Sequence, residues 1–327
     1  MKVLVFIQWP VRAWSIPDAH AAALAARFPN VSFIRAHSLD EAGSKISEVQ
    51  ACFTPHLLPA MIANAPSLRW VHSSAAAVEG LLPLAELAAA GVTVTNSRGI
   101  QAVPIAEHVM GGLLVLSRRF DQTLAAQQDG HWIQNALTDK WPRMLYGQRM
   151  TIVGLGTIGL EIARRAHAFG VHVTAVRRHP DREQPAYIDA VVGPDDLDMA
   201  LQGRDIVVVS APGTAATFGM IGATQLAQLQ RGAILVNIAR AGIVDGPSMR
   251  AALADGQLGG AVLDVFDQEP LPAADPLWTT PNVVITPHSA GFRASHWDDV
   301  ITLFSDNLQR FQRGAALRNV VDPVFGY

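Results

Sequence analysis

Arg149-Met-Thr-Ile-Val-Gly154-Leu-Gly156-Thr-Ile-Gly159, continued through Gly170 to Val176, is the stretch that decides the fold. Residues 149–153 read as a buried strand, residues 158–169 as a helix stopped by Gly170, and residues 171–176 as a second strand. In a strand–turn–helix–strand unit the three glycines have separate tasks. The first allows the tight turn, the second lets the backbone approach a pyrophosphate, and the third lets the helix pack against the strand. Free amides at the helix N-terminus then hold the negative charge. Gly154, Gly156, Thr157, Ile158 and Gly159 are therefore read as a dinucleotide site.

The end of the second strand separates NAD from NADP. An acidic side chain about 20 residues past the motif would bind the ribose 2′-hydroxyl. This chain has Arg177-Arg178-His179-Pro180 there, and Asp181 follows only after the proline. Two guanidiniums suit a 2′-phosphate dianion. The expected cofactor is NADP, with NAD as the alternative.

Short apolar runs continue on both sides of this unit. Before it lie residues 2–7, 31–34, 51–53, 70–73 and 92–95; after it lie 205–210, 233–238, 261–265 and 283–286. Helical patches separate them, such as residues 19–27 and 83–90, so parallel sheets are predicted. Residues 103–119 read as a long helix, with Ile105, Val109, Leu113 and Leu116 at helical spacing. Gly111-Gly112 costs that helix about 1 kcal/mol per glycine, so close packing against another backbone is expected there. Residues 127–146 read as irregular, and residues 294–311 as one amphipathic helix.

Composition excludes several classes. The net charge of −3 leaves no basic excess for a phosphate backbone, so nucleic acid is a poor partner. The single cysteine, Cys52, leaves neither an internal disulfide nor a cysteine-based zinc site, and no metal is expected. No apolar run approaches the ~18 residues that cross a bilayer. A cytoplasmic, reducing compartment is expected. The only lysines are Lys2, Lys45 and Lys140, so the C-terminal half has no amine for a P-loop or a Schiff base.

Three later segments place ionisable residues after apolar runs, at strand ends, where open α/β sheets bind ligands. They are Val236-Asn-Ile-Ala-Arg240-Ala-Gly-Ile-Val-Asp245, Leu263-Asp264-Val-Phe-Asp-Gln-Glu269-Pro-Leu271 and Thr286-Pro-His288-Ser-Ala-Gly291. An imidazole moves a proton near neutral pH, and a carboxylate beside it favours the charged form. A guanidinium clamps a carboxylate and polarises an adjacent carbonyl. Hydride transfer to a 2-keto acid needs both tasks performed beside a nicotinamide. Asp245 and Asp267 read as turn or capping residues.

With these segments the chain resembles the D-isomer-specific 2-hydroxyacid dehydrogenases over nearly its whole length. The match is strongest over residues 96–291, including Pro104-Ile-Ala-Glu-His108. The resemblance implies Arg240 for substrate binding and carbonyl polarisation, Glu269 for raising the histidine pKa, and His288 as acid and base. It places Asp264 against the nicotinamide carboxamide and Ala211, Pro212 and Ala239 beside the cofactor. It implies two Rossmann-like or flavodoxin-like parallel-sheet domains with a cleft between them. Residues 1–97 and 290–327 would bind substrate, and residues 98–289 would form the dinucleotide-binding Rossmann domain. A homodimer through the long helix near residues 103–119 is implied too.

Within that family Glu269 argues against formate as substrate, because formate dehydrogenases carry glutamine there. Two departures stand out. Arg240-Ala241 replaces the usual Arg-Gly, and the substrate loop Ser73-Ser-Ala-Ala-Ala77-Val-Glu79 has no glycine. The amides of Ala76 and Ala77 are the expected carboxylate donors, with Arg240 and His288 completing the substrate site. The reading is an NADP-preferring reductase of a small 2-keto acid, of the glyoxylate or hydroxypyruvate type. A nucleotide-sensing corepressor-like protein and a phosphite dehydrogenase-like member share these residues and stay open.

Overall fold

The computed structural model describes residues 1–81 and 83–326. They fall into two units, Met1–Gln101 with Phe292–Tyr327, and Ala102–Gly291. Both are α/β, and every strand pairing in both sheets is parallel.

The first unit has five strands, β1 (Lys2–Val5), β2 (Ser32–Arg35), β3 (Ala51–Phe53), β4 (Trp70–Ser73) and β5 (Thr93–Asn96), ordered β2-β1-β3-β4-β5. The central strands are buried on both faces, so β1 and β3 read as continuous apolar runs rather than as alternation, while β4 buries His72 and Ser73 as well. The helix His296–Gln312 belongs to this unit although it is distant in sequence. Its Phe304 ring stacks 4.1 Å from Phe53 and 5.2 Å from Trp70, and Trp297, Val300 and Leu308 are buried beside it. Each such aromatic pair contributes about 0.5–1.5 kcal/mol beyond area burial.

At the centre of this unit lies a wholly buried histidine, His72. Trp70 Nε1–H donates to Thr95 Oγ1 (2.8 Å), which lies 2.7 Å from His72 Nδ1. On the other side His72 Nε2 is 3.3 Å from Ser97 Oγ, whose hydroxyl donates to the Ser73 carbonyl (2.9 Å). This chain has one consistent direction, with His72 neutral and protonated on Nε2. Burial pushes the ring down to about 3 from 6.5. Below pH 6.5 the unfolded ring takes up a proton that the folded ring refuses, so this contribution to stability falls as pH falls toward 3. The loss reaches about 2 kcal/mol by pH 5. Urea unfolding at pH 7 and pH 5 should show a drop of at least this size, because burial lowers His56 and His296 in the same sense, and His72→Gln should make it shallower. An unchanged slope in that variant would assign the pH dependence to other groups.

The second unit has seven strands, β6 (Arg149–Val153), β7 (His172–Val176), β8 (Ala190–Val192), β9 (Ile206–Val209), β10 (Ala233–Asn237), β11 (Leu258–Leu263) and β12 (Val283–Ile285). Their order is β12-β11-β10-β9-β6-β7-β8. The chain therefore runs outward from β6 in one direction and from β9 in the other. The switch point of this doubly wound sheet lies between those two strands.

Three elements were not legible in the sequence. β8 has only three residues at the sheet edge, all half-buried. The helix Phe120–Gln128 buries no residue, and Ala136–Asp139 is a single short turn, so neither shows an apolar period. In the long helix Ala102–Ser117, Gly112 packs against a side chain of its own unit. A Cβ there would fall 2.6 Å from Val262 on β11, whereas Gly111 faces open space. Among the described residues no helix is long and apolar enough to cross a membrane.

Candidate active site

Because the seven strands are parallel, their C-terminal ends lie along one edge of the second unit, and each predicted group follows such an end. Gly154 follows β6 at the switch point with φ +103°, and a Cβ there would sit 2.5 Å from the Ala211 nitrogen after β9. At Gly159 the Gly154 carbonyl oxygen occupies the place of a side chain. Ser210 Oγ donates to that same carbonyl (2.7 Å), fastening the turn to β9. Gly156, by contrast, faces open space and caps the helix Thr157–Ala168, whose first amides have no partner within the helix. A bare glycine surface beside outward amides is a donor set that fits a diphosphate.

Arg177 and Arg178 follow β7, and the structure gives them different surroundings. Arg177 donates to the carbonyls of Arg182 and Glu183, so its guanidinium folds the loop over residues 178–183. Arg178 is exposed on that loop.

Arg240 follows β10 in extended conformation. The buried Asn237 staples this corner: its Oδ1 accepts from Ala239 N (3.1 Å) and its Nδ2 donates to the Arg240 carbonyl (3.1 Å). Ala239 is buried, and its carbonyl accepts from an Arg240 guanidinium nitrogen at 2.8 Å. Past Ala211 and Pro212 comes Gly213, where a Cβ would fall 2.7 Å from Arg240 Cγ. Gly213, Thr214, Ala215, Phe218, Gly242 and Ile243 frame a recess of about 380 Å³ around the Arg240 stem.

His288 follows β12, and its Nδ1 lies 2.7 Å from Glu269 Oε2. The second Glu269 oxygen accepts from Phe266 N (2.9 Å), which fixes the carboxylate. With Nδ1 committed to Glu269, the free nitrogen of the ring is Nε2, the atom available to exchange a proton. His288 has φ +51°. The two amides that follow it both reach the carboxylate of Asp264, only 2% exposed, with Ser289 N at 2.9 Å and Ala290 N at 3.0 Å. Thr286 Oγ1 donates to the same carboxylate (2.6 Å) and lies 3.1 Å from His108 Nε2.

The profile described as D-isomer specific 2-hydroxyacid dehydrogenase, NAD binding domain, matches residues 110–290. The glyoxylate reductase of Korarchaeum cryptofilum is 33% identical over 79% of this chain and 77% of its own length. The chain belongs to this family. Glyoxylate/hydroxypyruvate reductase B of Citrobacter koseri is 31% identical over 81% of both chains. A D-isomer specific 2-hydroxyacid dehydrogenase from Xanthobacter autotrophicus, solved with NADPH, superposes with a TM-score of 0.84 at 30% identity over 99% of each chain.

As a D-2-hydroxyacid dehydrogenase the chain accommodates both of its sequence departures. Ala241 begins a 3-10 turn with negative φ, and no residue from 73 to 77 has positive φ, so alanine is unstrained at each place. In the first unit, the carbonyls of Ala75, Ala76 and Ala77 accept from Ser97 N, Asn96 Nδ2 and Ser73 Oγ. Residues 73–77 are thus held through their carbonyls. Asp245 caps the helix Gly246–Ala254 through Ser248 N (2.9 Å), as its sequence position predicts. Sequence reasoning missed Asn237 and Gly213, which shape the corner around Arg240, and the link between His108 and Thr286.

Proposed function

We propose that this dehydrogenase is an NADP-preferring reductase of small 2-keto acids, of the glyoxylate or hydroxypyruvate type. The observation that carries the reading is the His288–Glu269 pair on the same sheet edge as Arg240 and the Gly154 turn. Arg240 binds the substrate carboxylate and polarises the carbonyl. His288 gives its Nε2 proton to the carbonyl oxygen, and Glu269 holds the ring in register through Nδ1. Gly154, Gly156, Thr157, Ile158 and Gly159 hold the diphosphate, with Ala211, Pro212 and Ala239 lining the cofactor and Asp264 facing its carboxamide. When bound, the reduced nicotinamide supplies the hydride. The product is a D-2-hydroxy acid.

The names of the two reductases support the substrate class, and the NADPH in the Xanthobacter structure supports the cofactor. Arg178 is the proposed 2′-phosphate ligand, with Arg177 shaping its loop. Arg178→Asp should lower kcat/KM with NADPH about tenfold or more and leave NADH nearly unaffected, since a charge-assisted bond contributes about 1.5–3 kcal/mol. An unchanged NADPH to NADH ratio in steady-state rates would count against it.

The proposal includes a homodimer. Its support is the set of large exposed side chains in the segment that follows the helix Ala102–Ser117 in the chain, with Trp132 88% exposed, Trp141 72% and Tyr146 74%. Their burial against a second copy would remove that surface from water.

A further inference from the structure

We infer that Thr286 and His108 are positioning residues for the reaction, acting through Asp264 to hold the turn that presents His288. The inference rests on His288 as the proton donor.

Four hydrogen bonds surround the left-handed residue. On its N-terminal side, His288 N donates to the Thr286 carbonyl (3.0 Å), closing a tight turn across Pro287. On its C-terminal side, the amides of Ser289 and Ala290 each donate to one oxygen of Asp264. The Thr286 hydroxyl links the two sides by donating to Asp264 Oδ1. A Cβ-bearing residue with φ +51° costs about 1 kcal/mol or more and persists only where its surroundings over-determine it. Here the buried carboxylate, rather than a glycine, supplies that determination.

The chain of donors has one direction. The Thr286 proton points at Asp264, so the 3.1 Å contact to His108 needs the imidazole Nε2–H as donor. His108 stands on the helix Ala102–Ser117, which is packed onto the unit through a row of buried apolar residues. It therefore anchors the active-site turn to a rigid element. Neither His108 nor Thr286 has to touch the reacting atoms for this. Their effect is on the direction in which Nε2 of His288 points, and an error of about 1 Å in such a position costs on the order of 100-fold in rate.

The test uses Thr286→Val, which keeps the shape and removes the hydroxyl, with Thr286→Ser as the rescue and His108→Phe as a second, independent break. Folding is checked by thermal melting. Turnover of glyoxylate with NADPH and the dissociation constant of NADPH, read by its fluorescence, are measured for each. Thr286→Val should lower kcat about 10- to 100-fold with the NADPH constant within about twofold, and His108→Phe should shift kcat in the same sense. Thr286→Ser should return kcat to within about threefold. Full turnover in Thr286→Val beside an inactive His288→Ala would overturn the inference alone, leaving the network as packing. A loss of NADPH affinity that accounts for the whole fall in kcat would overturn it too, assigning the network to the cofactor. Turnover surviving in His288→Ala would instead remove the reading beneath it. Should Thr286→Val not fold, His108→Phe with wild-type kcat decides against the inference.

Discussion

His288→Ala should lower turnover of a 2-keto acid about 10³-fold, within the range a positioned general acid contributes, and leave the NADPH dissociation constant within about twofold. The two readouts should separate because, in the proposed mechanism, the imidazole serves the substrate and not the cofactor. Its Nδ1 is committed to Glu269, and half of its side-chain surface is open to solvent. Removing an exposed ring leaves no core cavity, and the carboxylate of Asp264 still receives Ser289 N, Ala290 N and Thr286 Oγ1. The alanine variant should therefore melt close to the wild type. Glu269→Gln keeps a neutral acceptor for Nδ1–H but no charge to balance an imidazolium, so its turnover should fall less. Steady-state kinetics with fluorescence titration of NADPH measures both. Turnover within tenfold of wild type in His288→Ala would mean that another group moves the proton.

Gly154→Ala should lose both stability and cofactor binding, whereas Gly156→Ala should lose binding alone. At Gly154 the backbone has φ +103°, and a new methyl would lie 2.5 Å from the Ala211 nitrogen and 2.6 Å from its Cα. Both obstacles are backbone of the central strand ends, which cannot swing aside. Strain of this kind costs about 1–3 kcal/mol and the overpacking a similar amount, so the melting temperature should fall by at least several degrees. At Gly156 a Cβ meets nothing within 4 Å in the protein. Its methyl would instead stand where a diphosphate approaches the helix amides, raising the dissociation constant of NADPH about 100-fold at unchanged stability. Calorimetric melting beside NADPH titration distinguishes the pair. A Gly156→Ala protein that binds normally would place the diphosphate elsewhere.

Much of this unit was readable because its determinants are local. Gly154, Gly156 and Gly159 act within one turn, and β6 and β7 are buried deeply enough to read as apolar runs. The family resemblance added the order of Arg240, Glu269 and His288 along the chain. What stayed hidden was whatever depends on contacts between distant segments. Asn237 looks like any strand-end asparagine until its two bonds around Arg240 are seen. His108 sits 178 residues from Thr286, and no spacing rule connects them. Gly112 looked like a site for another backbone, but the neighbour it admits is Val262 of the same unit. Arg177 and Arg178 illustrate the remaining limit: of two adjacent, chemically identical side chains, Arg177 is half-buried and reaches the carbonyls of residues 182 and 183, whereas Arg178 is exposed.

The most direct test of the account is the initial rate of NADPH oxidation, against NADH, with glyoxylate and with hydroxypyruvate, followed by chiral analysis of the glycerate formed. Turnover is expected with both acids, faster with NADPH, with D-glycerate as the product from hydroxypyruvate. Cofactor binding without turnover of either acid would contradict the account.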